Sequence, residues 1–554
     1  MVDVAAEQPP ARAQNGQATV VAGASVGTLF EWYDFFLYGA LASHIARHFF
    51  SGVSEGAAFI FALGAFASGF IVRPFGALVF GRVGDLVGRK NTFLVTMVIM
   101  GLSTFLVGLL PGYETLGVAA PILLVVLRML QGLAVGGEYG GAVIYVAEHA
   151  PAHRRALDTS WINMMSTLGL ILSLLVIVGF RLAMPQDDFE AWGWRAPFLI
   201  SAILLAVSLW IRLKLNESPV YRRMKESGGV SKAPFAEAFG RWSNLKLVLA
   251  ALGGAVMGST VIWYCSQFYA LFFLQRILKV DDLTTNLLIV AALVVAAPSY
   301  LLMGWLSDRI GRKPVIIAGI ALGALSLFPA YHLLTEAANP ALAAAQRTAP
   351  VVVRADPATC SVQFDPLGTN RFDRSGCDIA KSFLTRRGVT YRTEALPPGS
   401  AAALNVGGRV IPVLDPRGLA PEEKGGRIAA FQAEAKDALS AAGYPEAAEP
   451  AQVNRLLVVG IVAYLVVLAA ATYAPVSALM VELFPARIRY TSLSFPYHLG
   501  AGWVGGLLPA TAFAIVATTW DIYAGLWYPV GFATVATFIA LFLLPETRGR
   551  PIED

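Results

Sequence analysis

The chain is written in long apolar runs separated by short polar connections. From about Val20 to Leu544, stretches of roughly 20 residues recur, each long enough to cross a hydrocarbon core of about 30 Å as a helix, and about twelve can be counted. One polar interval breaks the rhythm. After an apolar helix from about Pro314 to Leu334, the sequence from Thr335 to Val453 turns polar and rich in Pro, Gly and Arg, and apolar sequence returns near Arg455. Within that interval SFLTRRGVTYRTEAL and GGRVIPVLDP look strand-like, and EEKGGRIAAFQAEAKDALSAAGYP reads as an amphipathic helix ended by Gly443. A small folded α+β domain is expected there.

Two elements of the pattern occur twice, which marks an internal duplication. GRVGDLVGRK (Gly81 to Lys90) returns as GWLSDRIGRK (Gly304 to Lys313), and EHAPAHRR (Glu148 to Arg155) returns as ELFPARIR (Glu482 to Arg489). The first pair is offset by 223 residues and the second by 334, so the later half carries 111 extra residues between Lys313 and Glu482. The expected organisation is a tail (1–18), a six-helix half (19–215), a linker (216–244), helices seven to nine (245–334), the inserted domain (335–453), helices ten to twelve (454–545) and a second tail (546–554).

With 56% hydrophobic and 14% charged residues and a mean hydropathy of +0.61, a soluble fold is excluded. Met1 to Ala18 has neither the basic n-region nor the cleavage site of a removable signal, so the first span is expected to be retained. A net charge of +5 could suggest nucleic acid, but the basic residues fall on alternate loops. Arg82, Arg89 and Lys90, Arg154 and Arg155, Arg212 to Lys225, Arg309 to Lys313, Arg487 and Arg489, and Arg548 and Arg550 mark one side of a bilayer. By the positive-inside rule these loops and both termini face the cytosol, and the insertion lies outside, as in a multi-pass protein of a bacterial plasma membrane. That compartment permits a disulfide between Cys360 and Cys377, which would contribute about 3 kcal/mol, whereas Cys265 in an apolar helix suits packing. No phosphate loop, clustered His/Cys ligand set or nucleophile elbow occurs, so neither an enzyme nor a cofactor or metal is expected.

Twelve helices in two halves, with G-x-x-x-D-x-x-G-R-K after the second and eighth, resemble the major facilitator superfamily. RMLQGLAVGGE (Arg128 to Glu138) is similar to the R-x-x-Q-G motif of its proton-coupled members. EWYDFFLYG, RPFGALVFGRVGD and GGEYGGA narrow the resemblance to the metabolite:proton symporters, a branch with permeases for α-ketoglutarate, citrate, shikimate, and proline or betaine. Two departures stand out: the insertion lies outside the usual pattern, and the end of the chain, LLPETRGRPIED, has no heptad-bearing tail like that of osmosensing members. The resemblance implies rocking of two halves about a midplane site. Gly81, Asp85, Gly88 and Arg89, with the second copy Asp308 and Arg312, would form a cytosolic latch whose glycines allow a tight turn and whose acids face helix ends. The implied partners are a small solute, protons and the bilayer, with a monomer as the working unit and no nucleic acid.

Ionisable residues inside spans cost several kcal/mol unless paired or watered, so each is a functional candidate. The duplication places Val462 opposite Arg128, Thr472 opposite Glu138 and Ala296 opposite Arg73, so the architecture can be built without these charges. At about 1.5 Å per residue, Glu31, Arg73 and Glu138 form an inner layer, and Asp34 and Arg128 a more central one. In the superfamily the first and fourth helices line the cavity, which would bring Asp34 within reach of Arg128. Asp34 is thus the expected proton site with Arg128 as partner, and Glu31 and Glu138 are in reserve. Arg73 is expected to hold a substrate carboxylate, or else to neutralise Glu31 or Glu138. Tyr38, Trp263, Tyr264, Gln267, Tyr269 and Tyr473 could cover and hydrogen-bond a small polar solute. His498 suits a hydrogen-bonded core position. The leading reading is proton-coupled uptake of a small organic acid. The alternatives are an importer of a zwitterion such as betaine or proline, a proton-driven exporter distinguished by the direction of accumulation in vesicles, and a sensor distinguished by deleting 335–453.

Overall fold

The computed structural model describes residues 11–52, 55–87, 89–213, 233–361, 372–387, 389–417, 419–519 and 521–552. In hydrocarbon only a helix satisfies every backbone group within its own segment, and the apolar runs are helical throughout. The first half comprises α1 (Ala11–Ala40), α2 (Glu55–Ile71) continued past a turn at Val72 by α3 (Arg73–Val87), α4 (Arg89–Leu109), α5 (Ala119–His149), α6 (Arg155–Ala183) and α7 (Ala196–Leu213). The second half opens with α8 (Trp242–Ile277), α9 (Asp282–Ile310) and α10 (Arg312–Ala338). Ten helices of the described residues are long and apolar enough to cross a membrane. The first helix, with Glu31 and Asp34, and the fourth, whose apolar part is Leu94–Leu109, are not among the ten.

Between the halves of the bundle, α3 packs on the eleventh span, and α6 packs on α9 and the tenth. Within the first half, α2 and α3 cross α5 on glycines. A Cβ at Gly132 would run into the backbone of Gly69, and one at Gly136 into that of Arg73. Small residues let two backbones approach where a larger side chain would hold them apart. The crossing brings Arg73 and Arg128 to the same ring, Phe35, at 4.2 and 4.6 Å, so the two arginines do not lie in the separate layers expected from counting residues.

The insertion is a four-stranded sheet in the order β2-β1-β3-β4, formed by Val351–Ala355 (β1), Arg392–Ala395 (β2), Ala403–Val406 (β3) and Arg409–Pro412 (β4). β1 runs parallel to β2 and antiparallel to β3, and β3 and β4 form a hairpin. Helices α11 (Gly376–Arg386) and α12 (Pro421–Ala441) pack on the sheet and meet through Phe383 and Phe431, with ring centroids 6.0 Å apart. Gly443, at φ +85°, follows the second helix. The first third of the expected strand SFLTRRGVTYRTEAL is therefore helical. Cys377, Ala380, Phe383 and Leu384 are buried at helical spacing, and only Arg392–Ala395 extends. The helix before the insertion also runs four residues past Leu334, to Ala338. At its end Asn339 donates to the Leu278 carbonyl at 3.0 Å, and at the far end of the insertion the Ala448 N–H donates to the Lys279 carbonyl at 3.1 Å. Both ends of the domain are thus tied to the end of α8. The bundle then resumes with α13 (Arg455–Leu483), α14 (Arg489–Val516) and α15 (Ala524–Leu543).

Candidate functional site

The polar and aromatic residues that the sequence scatters over seven helices meet where the two halves face each other. A cavity of about 310 Å³ is lined by Trp32, Arg73, Tyr139, Asn163 and Ser166 from the first half, and by Trp263, Tyr264, Tyr473 and Tyr497 from the second. The last four come from α8, α13 and α14. Two of these helices depart locally from α geometry: π-helical turns occupy Cys265–Tyr269 of α8 and Gly500–Gly505 of α14, next to the cavity-lining residues. Such turns shift the side-chain register by one residue and concentrate at functional sites.

Arg73 is fully buried, with its guanidinium 4.2 Å from the Phe35 ring centroid and 4.4 Å from that of Phe70. Its Nε and Nη2 have no hydrogen-bond partner among the described residues. These two nitrogens form one edge of the planar fork, the edge that a carboxylate meets with two parallel hydrogen bonds. On the opposite wall, Tyr139 donates to Asn163 Oδ1 at 3.0 Å, and Asn163 Nδ2 donates to the Tyr473 carbonyl at 3.0 Å and to Ser477 at 2.8 Å. This network joins the two halves. Of its members the sequence reading names only Tyr473. Asn163, a lone amide in an apolar span, and Tyr139, inside GGEYGG, were the available signals.

The expected partnership of Asp34 with Arg128 is not formed. Arg128 donates to Gln131, which in turn donates to Thr104 at 2.8 Å, and its guanidinium stacks on Phe35 and Tyr38, 4.6 Å from each ring centroid. Asp34 is buried beside Ser201 of α7 and in the field of Glu138, and its Oδ1 has no hydrogen-bond partner among the described residues. The cause is helical geometry. Phe35, the residue that faces both arginines, is one position on from Asp34, which turns the carboxylate about 100° away. Glu31 points differently: with Glu138, Thr28, Trp32, Phe35, Val135 and Tyr139 it lines a second cavity of about 270 Å³, which shares Trp32 and Tyr139 with the first.

Three further expected residues lie away from the central cavity. Tyr38 donates to the Ala62 carbonyl at 3.1 Å, Gln267 donates to Thr167 at 3.3 Å, and Tyr269 packs among Tyr331, Phe273 and Phe513. His498 differs from expectation in the opposite sense. It is fully buried, yet neither ring nitrogen has a hydrogen-bond partner among the described residues.

At the end of the bundle that the charge pattern assigns to the cytosol, the duplicated E-x-x-P-A-x-x-R frame closes on itself across the halves. Arg155 of the first half meets Glu482 of the second at 2.9 Å, and Glu148 of the first half meets Arg489 of the second at 2.9 Å. Glu482 also takes Arg312 at 3.0 Å and Thr547 at 2.7 Å. Asp308 accepts from the backbone N–H groups of Ala156 and Leu157 at 3.1 and 2.8 Å, capping the start of α6 in the opposite half, and Arg312 holds it at 2.7 Å. Gly81 lies within α3 and turns no corner. In the second copy the turn falls on Gly311, at φ +111°. The side chains of Asp85 and Arg89, and Gly88 altogether, lie outside the described residues.

The chain is similar to known proteins. The sugar (and other) transporter family profile matches residues 20–240 and 438–554, and the major facilitator superfamily profile matches 259–346. The chain is 35% identical over 326 residues to the glycine betaine/proline/ectoine/pipecolic acid transporter OusA of Dickeya dadantii, covering 57% of this chain and 64% of that protein. It is 35% identical over 318 residues to the shikimate transporter of Escherichia coli, covering 56% and 71%. It is 34% identical over 322 residues to the alpha-ketoglutarate permease of the same organism, covering 58% and 72%. Among solved structures, the proton:xylose symporter XylE bound to 6-bromo-6-deoxy-D-glucose superposes with a TM-score of 0.61 at 15% identity, covering 98% of both chains. The chain spans a little under two thirds of the length of the betaine/proline relative, and it belongs to the major facilitator superfamily, within its metabolite permeases.

Proposed function

We propose that the protein takes up a small carboxylate-bearing solute together with protons, by alternating access of the cavity between its halves. The carrying observation is Arg73, a buried guanidinium that lines this cavity with its Nε and Nη2 edge unsatisfied. Leaving such donors empty in a low-dielectric site is costly, and a carboxylate satisfies both at once. Betaine, proline, shikimate and α-ketoglutarate, named in the relatives, all carry that group.

A simple organic acid is the first reading of the substrate. A zwitterion is the second, favoured by the aromatic lining. Trp32, Tyr139, Trp263, Tyr264, Tyr473 and Tyr497 line the same cavity as the arginine, with no acid among the described lining residues, and ring faces attract alkylated ammonium groups. Thermal-shift screening of the purified protein against organic acids and betaines, followed by uptake of the hit into proteoliposomes, separates the two. If no carboxylate-bearing solute stabilises or enters, the proposal fails.

For the proton, the geometry favours Glu31 and Glu138, the reserve acids, over Asp34. Their cavity shares the walls Trp32 and Tyr139 with the central one, so solute bound at Arg73 can alter the surroundings of both carboxylates. Uptake driven by an imposed pH gradient tests this. Glu138→Gln is expected to abolish the response to the gradient while counterflow persists, and Asp34→Asn to retain it; the reverse outcome restores Asp34 as the proton site.

A further inference from the structure

The inserted domain holds a group that solute transport does not use. Cys360 and Cys377 are joined in a disulfide, 17 residues apart in sequence. Cys377 is the second residue of α11, the helix that connects the parallel strands β1 and β2, and its side chain is fully buried. Cys360, on the segment leaving β1, is partly exposed. The bond therefore stands at a strand-to-helix junction of a βαβ unit, with the helix N-terminus beneath one sulfur and solvent at the other. Thioredoxin-like redox motifs carry a C-x-x-C pair near such a βαβ unit; here one cysteine stands in the first turn of the helix and the other lies 17 residues before it.

We propose that Cys360 and Cys377 form a reversible thiol–disulfide exchange centre, acting on dithiols on the outer side of the membrane. The observation that separates this from a structural staple is a second set of ties between the same two segments. Ser361 donates to the Asp378 carboxylate from both its backbone N–H and its hydroxyl, each at 2.7 Å. Ser375 donates to the Thr359 carbonyl at 2.6 Å and accepts from the Asp378 N–H at 3.0 Å, capping α11. Residues on both sides of Cys360 are thus pinned to residues on both sides of Cys377. Opening the bond leaves the sulfurs facing each other, ready to close again.

In the exchange, a donor thiolate attacks Sγ of Cys360, the exposed sulfur. The Cys360–Cys377 bond breaks, and its electron pair leaves on Cys377 Sγ, where the first-turn N–H groups and helix dipole of α11 favour a thiolate. Lys381 stands one turn further along the helix from Cys377, where it offsets the negative charge of Asp378 beside that sulfur. A second thiolate of the same donor then attacks the mixed disulfide and releases Cys360. The donor dithiol is oxidised to a disulfide, and the domain takes up two electrons and two protons as two thiols.

The inference rests on the outward placement of the insertion, so its test has two arms. In the first, the full-length detergent-solubilised protein is equilibrated in buffers of reduced and oxidised glutathione, and free thiols are counted by alkylation and mass spectrometry, with buried Cys265 as internal reference. Cys360 and Cys377 are expected to open and close together reversibly without loss of the domain's melting transition. Cys377→Ser is expected to form a mixed disulfide with glutathione at Cys360 at least tenfold faster than Cys360→Ser forms one at Cys377. A bond that resists glutathione until the domain melts, or equal reactivity of the two variants, overturns the proposal. In the second arm, a membrane-impermeant maleimide applied to reduced intact cells is expected to label Cys360. Labelling only after permeabilisation overturns the outward placement alone.

Discussion

Arg73 shows how much depends on which edge of a side chain a fold leaves open. Its face is covered by Phe35 and Phe70, and its Nε and Nη2 edge, proposed above to meet solute, has no hydrogen-bond partner among the described residues. Arg73→Lys keeps a positive charge but loses the planar fork. A charge-assisted hydrogen bond contributes about 1.5–3 kcal/mol, so KM for uptake is expected to rise by about tenfold to a hundredfold, with a smaller change in kcat. Arg73→Gln is expected to abolish uptake at any accessible concentration. Concentration-dependent transport in proteoliposomes checks both variants, and a KM that stays unchanged in Arg73→Lys would remove Arg73 from substrate binding. Asn163 acts differently, because its amide links Tyr139 to Tyr473 and Ser477 across the halves. Asn163→Ala should weaken coupling between solute and proton more than solute affinity, measured as solute moved per proton.

At the level of elements, the glycine crossing of α3 with α5 and the capping of α10 each permit a direct test. Gly136→Leu places a branched side chain against the backbone of Arg73 and Ala77 and forces the helices apart. It is expected to destabilise the first half by more than the about 1–3 kcal/mol of ordinary overpacking, read as a lower melting temperature and lost uptake. Glu546, beyond the last helix, accepts from the backbone N–H groups of Arg312 and Lys313 at 3.0 Å each. Burial pushes its carboxyl up, but the four backbone donors of Arg312, Arg548, Lys313 and Thr547 outweigh that and hold it below the ordinary glutamate range. Its contribution to stability is therefore fully present above that range and fades as pH falls through the lowered value. Glu546→Gln should flatten the acid side of a plot of melting temperature against pH, and an unchanged slope would rule the contact out as a source of stability.

For the whole molecule, the decisive contacts are those that join one half to the other. Glu482 compensates Arg155 and Arg312 at once, and Glu148 compensates Arg489, all out of water. Removing one partner of a buried ion pair costs about 3–5 kcal/mol, because the remaining charge has no solvent to turn to. Glu482→Gln is expected to shift the population toward a form open at this end, seen as faster alkylation of single cysteines placed along α6 and α13. The same variant should lose concentrative uptake while exchange persists. If alkylation stays at the original rate, these pairs do not hold the end closed.

The fold and the site were not equally legible in the sequence. Hydropathy located the spans, since a membrane leaves the backbone little choice but a helix. The repeated motifs pointed to two halves and an insertion, and the repeat E-x-x-P-A-x-x-R already contained both partners of each cross-half pair. Arg73, Trp263, Tyr264 and Tyr473 were legible as intramembrane polar groups, and all four line the cavity. The sequence by itself thus determined that this chain crosses a membrane as a duplicated bundle, and which residues are too polar to be there without a purpose. Only the tertiary structure decided who faces whom. Counting residues from the loops put Arg73 and Arg128 at different depths although both meet Phe35, and direction around a helix and the partner met there likewise depend on how helices cross. A step of one residue turned Asp34 away from Arg128 and gave both arginines to Phe35. The crossing of the halves likewise brought Asn163 to Tyr473, although 310 positions separate them.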